Sequence, residues 1–140
     1  MNHAFGILSQ RQLEEAWPQV HKLLSKAERY SQDNTTAAGI LSLAREGRAH
    51  VFALITPNGI EAAMAMTFTT DAKQKTMNIA MFGGKHTRLI FERYGDKVQQ
   101  FARDCGATRI TAWCRPSAAR LFNSITGTKT IYHLISKDLP

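Results

Sequence analysis

Apolar positions along this chain change their period several times, and each change marks an element. Ala4 to Leu8 is a short apolar run suited to a first strand. From Ser9 the period lengthens: Leu13, Ala16, Trp17, Val20, Leu23, Leu24, Ala27 and Tyr30 recur at helical spacing, and Ser9-x-x-Gln12 has the form of a capping box. Pro18 falls inside that pattern. Lacking an N–H, and with a ring that crowds the preceding turn, it predicts a kink or a helix whose first turn starts at Pro18. Ser31 to Thr36 is a polar linker, after which Thr35 or Thr36 can cap a second helix running through Arg45-Glu46 to a stop at Gly47. Ile40, Leu41, Leu43 and Ala44 would face the core.

The period then shortens. His50 to Ile55 reads as a strand, Thr56-Pro57-Asn58-Gly59 as a turn with the Asn-Gly hairpin signal, and Ile60 to Thr70 as the returning strand. A second polar turn, Asp71 to Lys75, leads to a strand at Thr76 to Phe82 and so to a three-stranded meander. Gly83-Gly84-Lys85-His86-Thr87 follows, and then an amphipathic helix with Ile90, Tyr94, Val98, Phe101 and Cys105 on one face, ending at Gly106. Gly95 weakens that helix by about 1 kcal/mol relative to alanine, so packing must hold it or a close neighbour must require it. Arg109 to Cys114 reads as a further strand, Pro116 to about Ile125 as a short helix, and Thr130 to Ser136 as a closing strand. The strand at Arg109, reached from the strand at Thr76 through a helix, should lie parallel to it through a right-handed crossover.

The strand–glycine–helix junction is the one stretch with evident binding chemistry. Two glycines let a backbone turn tightly and approach a ligand, and a helix start presents unpaired N–H groups at a positive dipole end. Lys85, His86 and Arg88 add positive or ionisable side chains, and Thr87 is the expected N-cap. Gly-Gly-Lys-His-Thr matches neither a Walker A loop nor a GxGxxG fingerprint, and most junctions of this kind are only turns.

Composition narrows the classes. At 140 residues and 44% hydrophobic, residues 1–140 fit a single domain able to bury a core. No run approaches a membrane span and the N-terminus has no signal-peptide form, which predicts a cytoplasmic protein. Cys105 and Cys114 form no CxxC pair and the five histidines show no ligand spacing, so the cysteines read as small core thiols and no metal site is expected. The formal charge of +7 is uneven: residues 1 to 70 carry six Lys/Arg against six Asp/Glu, and residues 71 to 140 carry twelve against five. A basic second half suits a partner bearing phosphates, whether a nucleotide-containing cofactor, nucleic acid or an acidic protein surface, although such charge is more often a solvated surface. With no block of basic residues and no interleaved aromatics, nucleic acid is the weakest of the three.

The order of elements resembles the GNAT acyltransferase fold over nearly the whole chain. That resemblance implies an α/β domain with a mixed, mostly antiparallel central sheet, helices on both faces and a parallel pair between strands four and five. It implies a coenzyme A pyrophosphate held on the backbone of Phe82, Gly83, Gly84, Lys85, His86, Thr87 and Arg88, with acetyl-CoA as cofactor, an amine as acyl acceptor, and strands Met77 to Phe82 and Arg109 to Cys114 admitting the pantetheine arm. The family's turn runs Gln/Arg-x-x-Gly-x-Gly/Ala, where this chain has Ala80-Met81-Phe82-Gly83-Gly84-Lys85: the leading Gln/Arg is missing and Lys85 replaces a small residue. Many members place a tyrosine after the fifth strand to protonate the departing thiolate. In Arg115-Pro116-Ser117-Ala118-Ala119-Arg120-Leu121-Phe122 that position is Phe122, which has no proton to give, and general acid catalysis contributes roughly 10²- to 10⁴-fold.

Substitute acids are Cys114, Ser124, Tyr132 and Tyr94, and nothing in the spacing favours one. For a base, the meander offers only Glu61 and Asp71, and Glu61, just after a hairpin turn, reads more readily as a solvated edge residue. A narrower resemblance, to small GNAT-like proteins of tailed bacteriophages, is carried by Trp17-Pro18, Ile110 to Cys114, Arg120-Leu121-Phe122-Asn123-Ser124-Ile125-Thr126-Gly127 and Leu134 to Leu139. It implies a non-catalytic alternative: a virion-assembly or host-interaction protein, in the host cytoplasm or the virion, whose partner is a phage virion or host protein.

Overall fold

A computed structural model describes residues 2–28, 35–112 and 120. The chain opens with strand β1 (Ala4–Ile7), then helices α1 (Gln10–Ser25) and α2 (Ala37–Arg45). A meander follows: β2 (Ala49–Thr56), β3 (Gly59–Thr70) and β4 (Lys75–Gly84), then helix α3 (Thr87–Asp104) and strand β5 (Arg109–Ala112). The sheet order is β1-β2-β3-β4-β5, antiparallel throughout except for β4 and β5, which run parallel. The crossover expected from the spacing is therefore present, with α3 as its helix. The expected closing helix and strand, and the segment 29–34, lie outside the described residues, apart from Arg120.

Local chemistry explains the element starts. Ser9 Oγ accepts from the Gln12 N–H while Gln12 Oε1 accepts from the Ser9 N–H, so the capping box closes in both directions. Thr36 caps α2 by accepting from Gly39 N–H. α1 continues through Pro18 as one helix rather than starting there. The missing proline N–H leaves the Glu14 carbonyl without its helical partner, and the buried stripe of Leu13, Val20 and Leu24 holds the helix across the gap.

The sheet separates two apolar layers. On one face α3 sets Ile90, Phe91, Val98 and Ala102 against Phe5, Phe52, Leu54, Met64, Met66, Met77 and Ile79. On the other, α1 and α2 set Leu13, Val20, Leu24 and Ile40 against Val51, Ala63, Ala65 and Met81. Adjacent strand residues point to opposite faces, so Ile79 and Met81 ought to share a layer, yet they do not. The register slips between Ala65 and Met66 of β3: Ala65 pairs with Met81 and Met66 with Ile79, leaving Ala80 as an extra residue on β4. This bulge inverts the alternation beyond it. Phe82 consequently turns to the α3 layer, its ring 5.6 Å from that of Phe91, and Gly83 turns to α1.

At the β1 edge of the sheet, α3 reaches around the strand. Lys97 Nζ donates to the Phe5 carbonyl at 2.7 Å, and the Tyr94 hydroxyl bonds to His3 Nδ1. Cys105, expected in the core, is partly exposed just past the end of α3, because Ala102 and Ala107 fill that part of the layer instead.

Two glycines should respond oppositely to alanine. A Cβ on Gly83 would sit 2.0 Å from the Leu23 carbonyl oxygen, whereas one on helical Gly95 would meet nothing within 4 Å. Gly95→Ala should therefore stabilise by up to about 1 kcal/mol and Gly83→Ala should destabilise by about 1–3 kcal/mol, read as opposite shifts of the urea midpoint. A shift of the same sign in both would contradict this packing.

Candidate functional site

The candidate site is the junction of β4 and α3. β4 does not end at Phe82 but continues through both glycines, which pair with β3 as Ala63↔Gly83 and Ala62↔Gly84. The turn itself is only Lys85 and His86. Both glycines have reasons inside the chain: Gly83 passes beneath the Leu23 carbonyl, and Gly84, at φ 121°, lies where a Cβ would be 2.3 Å from the Glu61 carbonyl oxygen. Their absent side chains make room for the protein's own backbone.

The Lys85 N–H donates to the Glu61 carbonyl at 2.9 Å, which fixes the turn against β3. His86, not Thr87, is the N-cap residue, and it sits in the left-handed region at φ 67° and ψ 33° with no side-chain capping bond. A threonine is a good cap only where the backbone is extended, and here the chain enters the helix from a left-handed residue, so Thr87 becomes the first helical position. His86 O accepts from the Ile90 N–H, the first helical bond. The N–H groups of Thr87, Arg88 and Leu89 precede it and have no partner within the helix. Leu89 was absent from the sequence-based set, because apolar side chains give no sign that their backbone serves.

The seven expected residues therefore divide. Thr87 and Arg88 present first-turn N–H groups, while the Arg88 guanidinium pairs with Glu92 at 3.0 Å and Lys85 is exposed. Phe82 points into the α3 layer. His86 is engaged elsewhere: its Nε2 lies 2.7 Å from Glu61 Oε2.

Glu61 is not the solvated edge residue its position suggested. Its side chain retains only 15% exposure, and Asn58 Nδ2 donates to its second oxygen at 3.3 Å. The His86 bond first, then those from Asn58 and Thr56, hold its carboxyl below the usual carboxylate range. Asp71, the other acid of the meander, accepts from the backbone N–H groups of Lys73 and Gln74, which likewise lower its pKa. Cys114, Ser124, Tyr132 and Phe122 lie outside the described residues. Tyr94 is bound to His3 beside β1, at the opposite edge of the sheet from β5.

Beside the junction, β4 and β5 pair from Thr76↔Arg109 to Ile79↔Ala112, just short of the Ala80 bulge. A polar row crosses the sheet there: Thr111 Oγ1 donates to Asn78 Oδ1 at 2.7 Å, and Asn78 Nδ2 donates to Thr69 Oγ1 at 3.3 Å. A separate half-open cavity of about 410 Å³ lies past the C-terminal end of α3, lined in part by Arg48, His50, Phe68, Lys75 and Cys105. Burial lowers the pKa of His50 there. α3 rises about 1.5 Å per residue, so its full length separates this cavity from the junction.

The architecture matches solved acetyltransferases. An acetyltransferase of Trypanosoma brucei has a TM-score of 0.66 at 12% identity, covering 99% of this chain and 100% of that one. A GNAT family acetyltransferase of Staphylococcus aureus has 0.64 at 16%, covering 99% and 100%. An aminoglycoside N-acetyltransferase in complex with CoA has 0.67 at 10%, covering 98% and 95%. At these identities the likeness is one of fold, and the fold is the GNAT fold, a mixed sheet with β4 and β5 parallel. No family model matches the chain, and no curated protein matches it.

The depressed pKa of Glu61 sets a sign for acid stability. A carboxyl whose folded pKa lies below its unfolded value contributes stability that is complete above the unfolded value and is lost as pH falls through the folded one. Wild type should lose thermal stability from about pH 4.5 downward, and Glu61→Gln should be less stable than wild type at pH 7 and fall less steeply over that acid range. Parallel melting curves for the two across pH 3 to 7 would contradict the Glu61–His86 contact.

Proposed function

We propose that this protein binds acetyl-CoA, with the coenzyme's pyrophosphate at the first turn of α3, and acts as an N-acetyltransferase on an amine. The observation that carries this reading is an uncapped helix start, with Lys85 exposed beside it, at the end of β4 in a GNAT fold. The N–H groups of Thr87, Arg88 and Leu89 suit phosphate oxygens, and the positive end of the helix adds to them. Bound acetyl-CoA would supply the activated acyl group for direct attack by the amine. The chain's own contribution is to hold and orient: the Ala80 bulge unpairs one residue of β4 beside the end of its pairing with β5, a backbone feature often found next to active sites, and the Thr69–Asn78–Thr111 row offers a polar floor nearby.

The competing reading is a non-catalytic GNAT-fold phage protein with a virion-assembly or host-interaction role, in the virion or the host cytoplasm. Two observations bear on its non-catalytic part alone: Gly83 and Gly84 accommodate the chain's own backbone, and Glu61 is tied to His86. Either reading takes residues 1–140 as one domain.

Calorimetric titration with acetyl-CoA distinguishes the two. Saturable heat is expected, together with thermal stabilisation that grows with ligand and amounts to about 2.7 kcal/mol at a hundredfold excess over Kd. Lys85→Glu should weaken binding several-fold and leave the melting temperature of the free protein unchanged, since Lys85 is exposed. No heat and no stabilisation at millimolar acetyl-CoA would overturn the enzyme reading.

A further inference from the structure

At the end of the sheet away from the β4–α3 junction, the half-open cavity has chemistry that the coenzyme reading does not use. It exists because β3 outruns its neighbour: the pairing with β2 ends at Ala49↔Thr67, and β3 continues to Thr70. The notch beside Phe68 is walled by the close of α2 and the residue after α3, with Leu43, Arg48, His50, Phe68, Lys75 and Cys105 among its lining. Its volume of about 410 Å³ falls in the range of roughly 300–1,000 Å³ that small-molecule pockets occupy.

The apolar side of the cavity is already ordered. The His50 ring stands edge-on to Phe101 at 5.5 Å and to Phe68 at 6.1 Å, and Phe68 packs on the α3 layer. Burial lowers the pKa of His50, so at neutral pH its ring joins Phe68 as an uncharged surface.

The polar side is cationic. Lys75 Nζ donates to the Cys105 carbonyl at 2.7 Å and lies 4.9 Å from the Phe68 ring centre. One of its three N–H donors and a ring face thus hold the ammonium in place. The carbonyl it occupies belongs to the C-cap of α3, whose negative end would otherwise oppose an anion. At the end of α2 the carbonyls of Ser42, Leu43 and Ala44 accept from the N–H groups of Glu46, Gly47 and Arg48 and are likewise closed. Arg48 spends one of its five donors on a 3.4 Å contact with Glu46 between two exposed side chains, a kind of pair that contributes little. Among the described residues no Asp or Glu lines the cavity.

We propose that this cavity is a second ligand site, for a small aromatic carboxylate: the flat ring lies against Leu43, His50 and Phe68, and the carboxylate accepts from the Lys75 ammonium and the Arg48 guanidinium. An inorganic anion would leave the ring surface wet, and a neutral aromatic would leave the ammonium without an acceptor. Lys75 is the anchor, and Arg48 adds charge at the mouth. The eighteen residues of α3 span roughly 27 Å at 1.5 Å each, so a ligand here does not touch the junction, and the site stands whether or not coenzyme A binds there.

The test is a titration of the isotope-labelled full chain with phenylacetate, phenylacetamide and acetate, followed by amide chemical shifts in NMR spectra. Phenylacetamide keeps the ring and lacks the charge; acetate keeps the charge and lacks the ring. Phenylacetate should give saturable shifts centred on Arg48, His50, Phe68, Lys75 and Cys105, with an affinity about tenfold or more above that of either control. Lys75→Met keeps a long stem and removes the ammonium, and it should lower that affinity about tenfold; Arg48→Gln should lower it several-fold. Lys75→Met also loses the bond to Cys105, so melting curves check its fold, and the exposed Arg48 supplies a variant that does not depend on that bond. Equal affinity for phenylacetamide, shifts centred on Thr87 to Leu89 instead, or an affinity unchanged in both variants overturns the proposal. So does the absence of saturable shifts at tens of millimolar phenylacetate. Coenzyme A, added separately, is read at Thr87, Arg88 and Leu89 in the same spectra, so failure of one reading is distinguishable from failure of the other.

Discussion

The Leu23 carbonyl oxygen occupies the space that a side chain at position 83 would need, and the rest of the molecule is arranged around that close approach. It lets the end of α1 settle directly on β4, so that Leu24 and Val20 can reach the layer formed by Ala63, Ala65 and Met81. The approach is possible only because the bulge at Ala80 has already inverted the alternation of β4. Without the extra residue, Phe82 would face α1 and Gly83 would face α3, leaving a ring where the carbonyl now lies and a void beside Phe91. One inserted residue thus serves both layers.

The same inversion determines how the chain leaves the sheet. With Gly84 lying against Glu61 and Ala62, the next N–H, that of Lys85, falls to the Glu61 carbonyl, and His86 is left to turn the chain into α3 from a left-handed conformation. Glu61 therefore holds the junction through its backbone and its side chain at once. A carboxylate beside a helix start would ordinarily compete with any anion for that positive end. Its bond to His86 makes the two act as a unit.

Where a feature depended on neighbours in sequence, it was legible in the sequence. The reciprocal bonds of Ser9 and Gln12 span three residues, and the parallel pairing of β5 with β4 follows from the length of the helix between them; the hairpin that Asn58-Gly59 signalled is present, but its two-residue loop is Pro57-Asn58, with Gly59 already in β3 and paired to Thr56. The junction was legible as a place but not in detail. The Ala80 bulge exists only in the pairing with β3, since Met77 to Met81 alternate as any strand would, and the adjacent large residues Met81 and Phe82 were the one trace of it. The shift of the cap from Thr87 to His86 arises from Glu61, 25 residues away. Pro18 was read by its local penalty, and the apolar stripe on either side of it prevailed. Cys105 was read as core from helical spacing, and it misses the layer because α3 ends one residue before it.

The arm that α3 extends around β1 has a consequence for the protein's behaviour in company. A terminal strand offers a row of unused backbone donors and acceptors to any passing strand, which is how sheets fuse into aggregates. Here the Lys97 ammonium sits on the Phe5 carbonyl and Tyr94 binds His3, so an incoming chain meets a positive charge and an occupied carbonyl. A second molecule carrying the same lysine at the same edge would add charge repulsion of its own. On that side the protein is built to end.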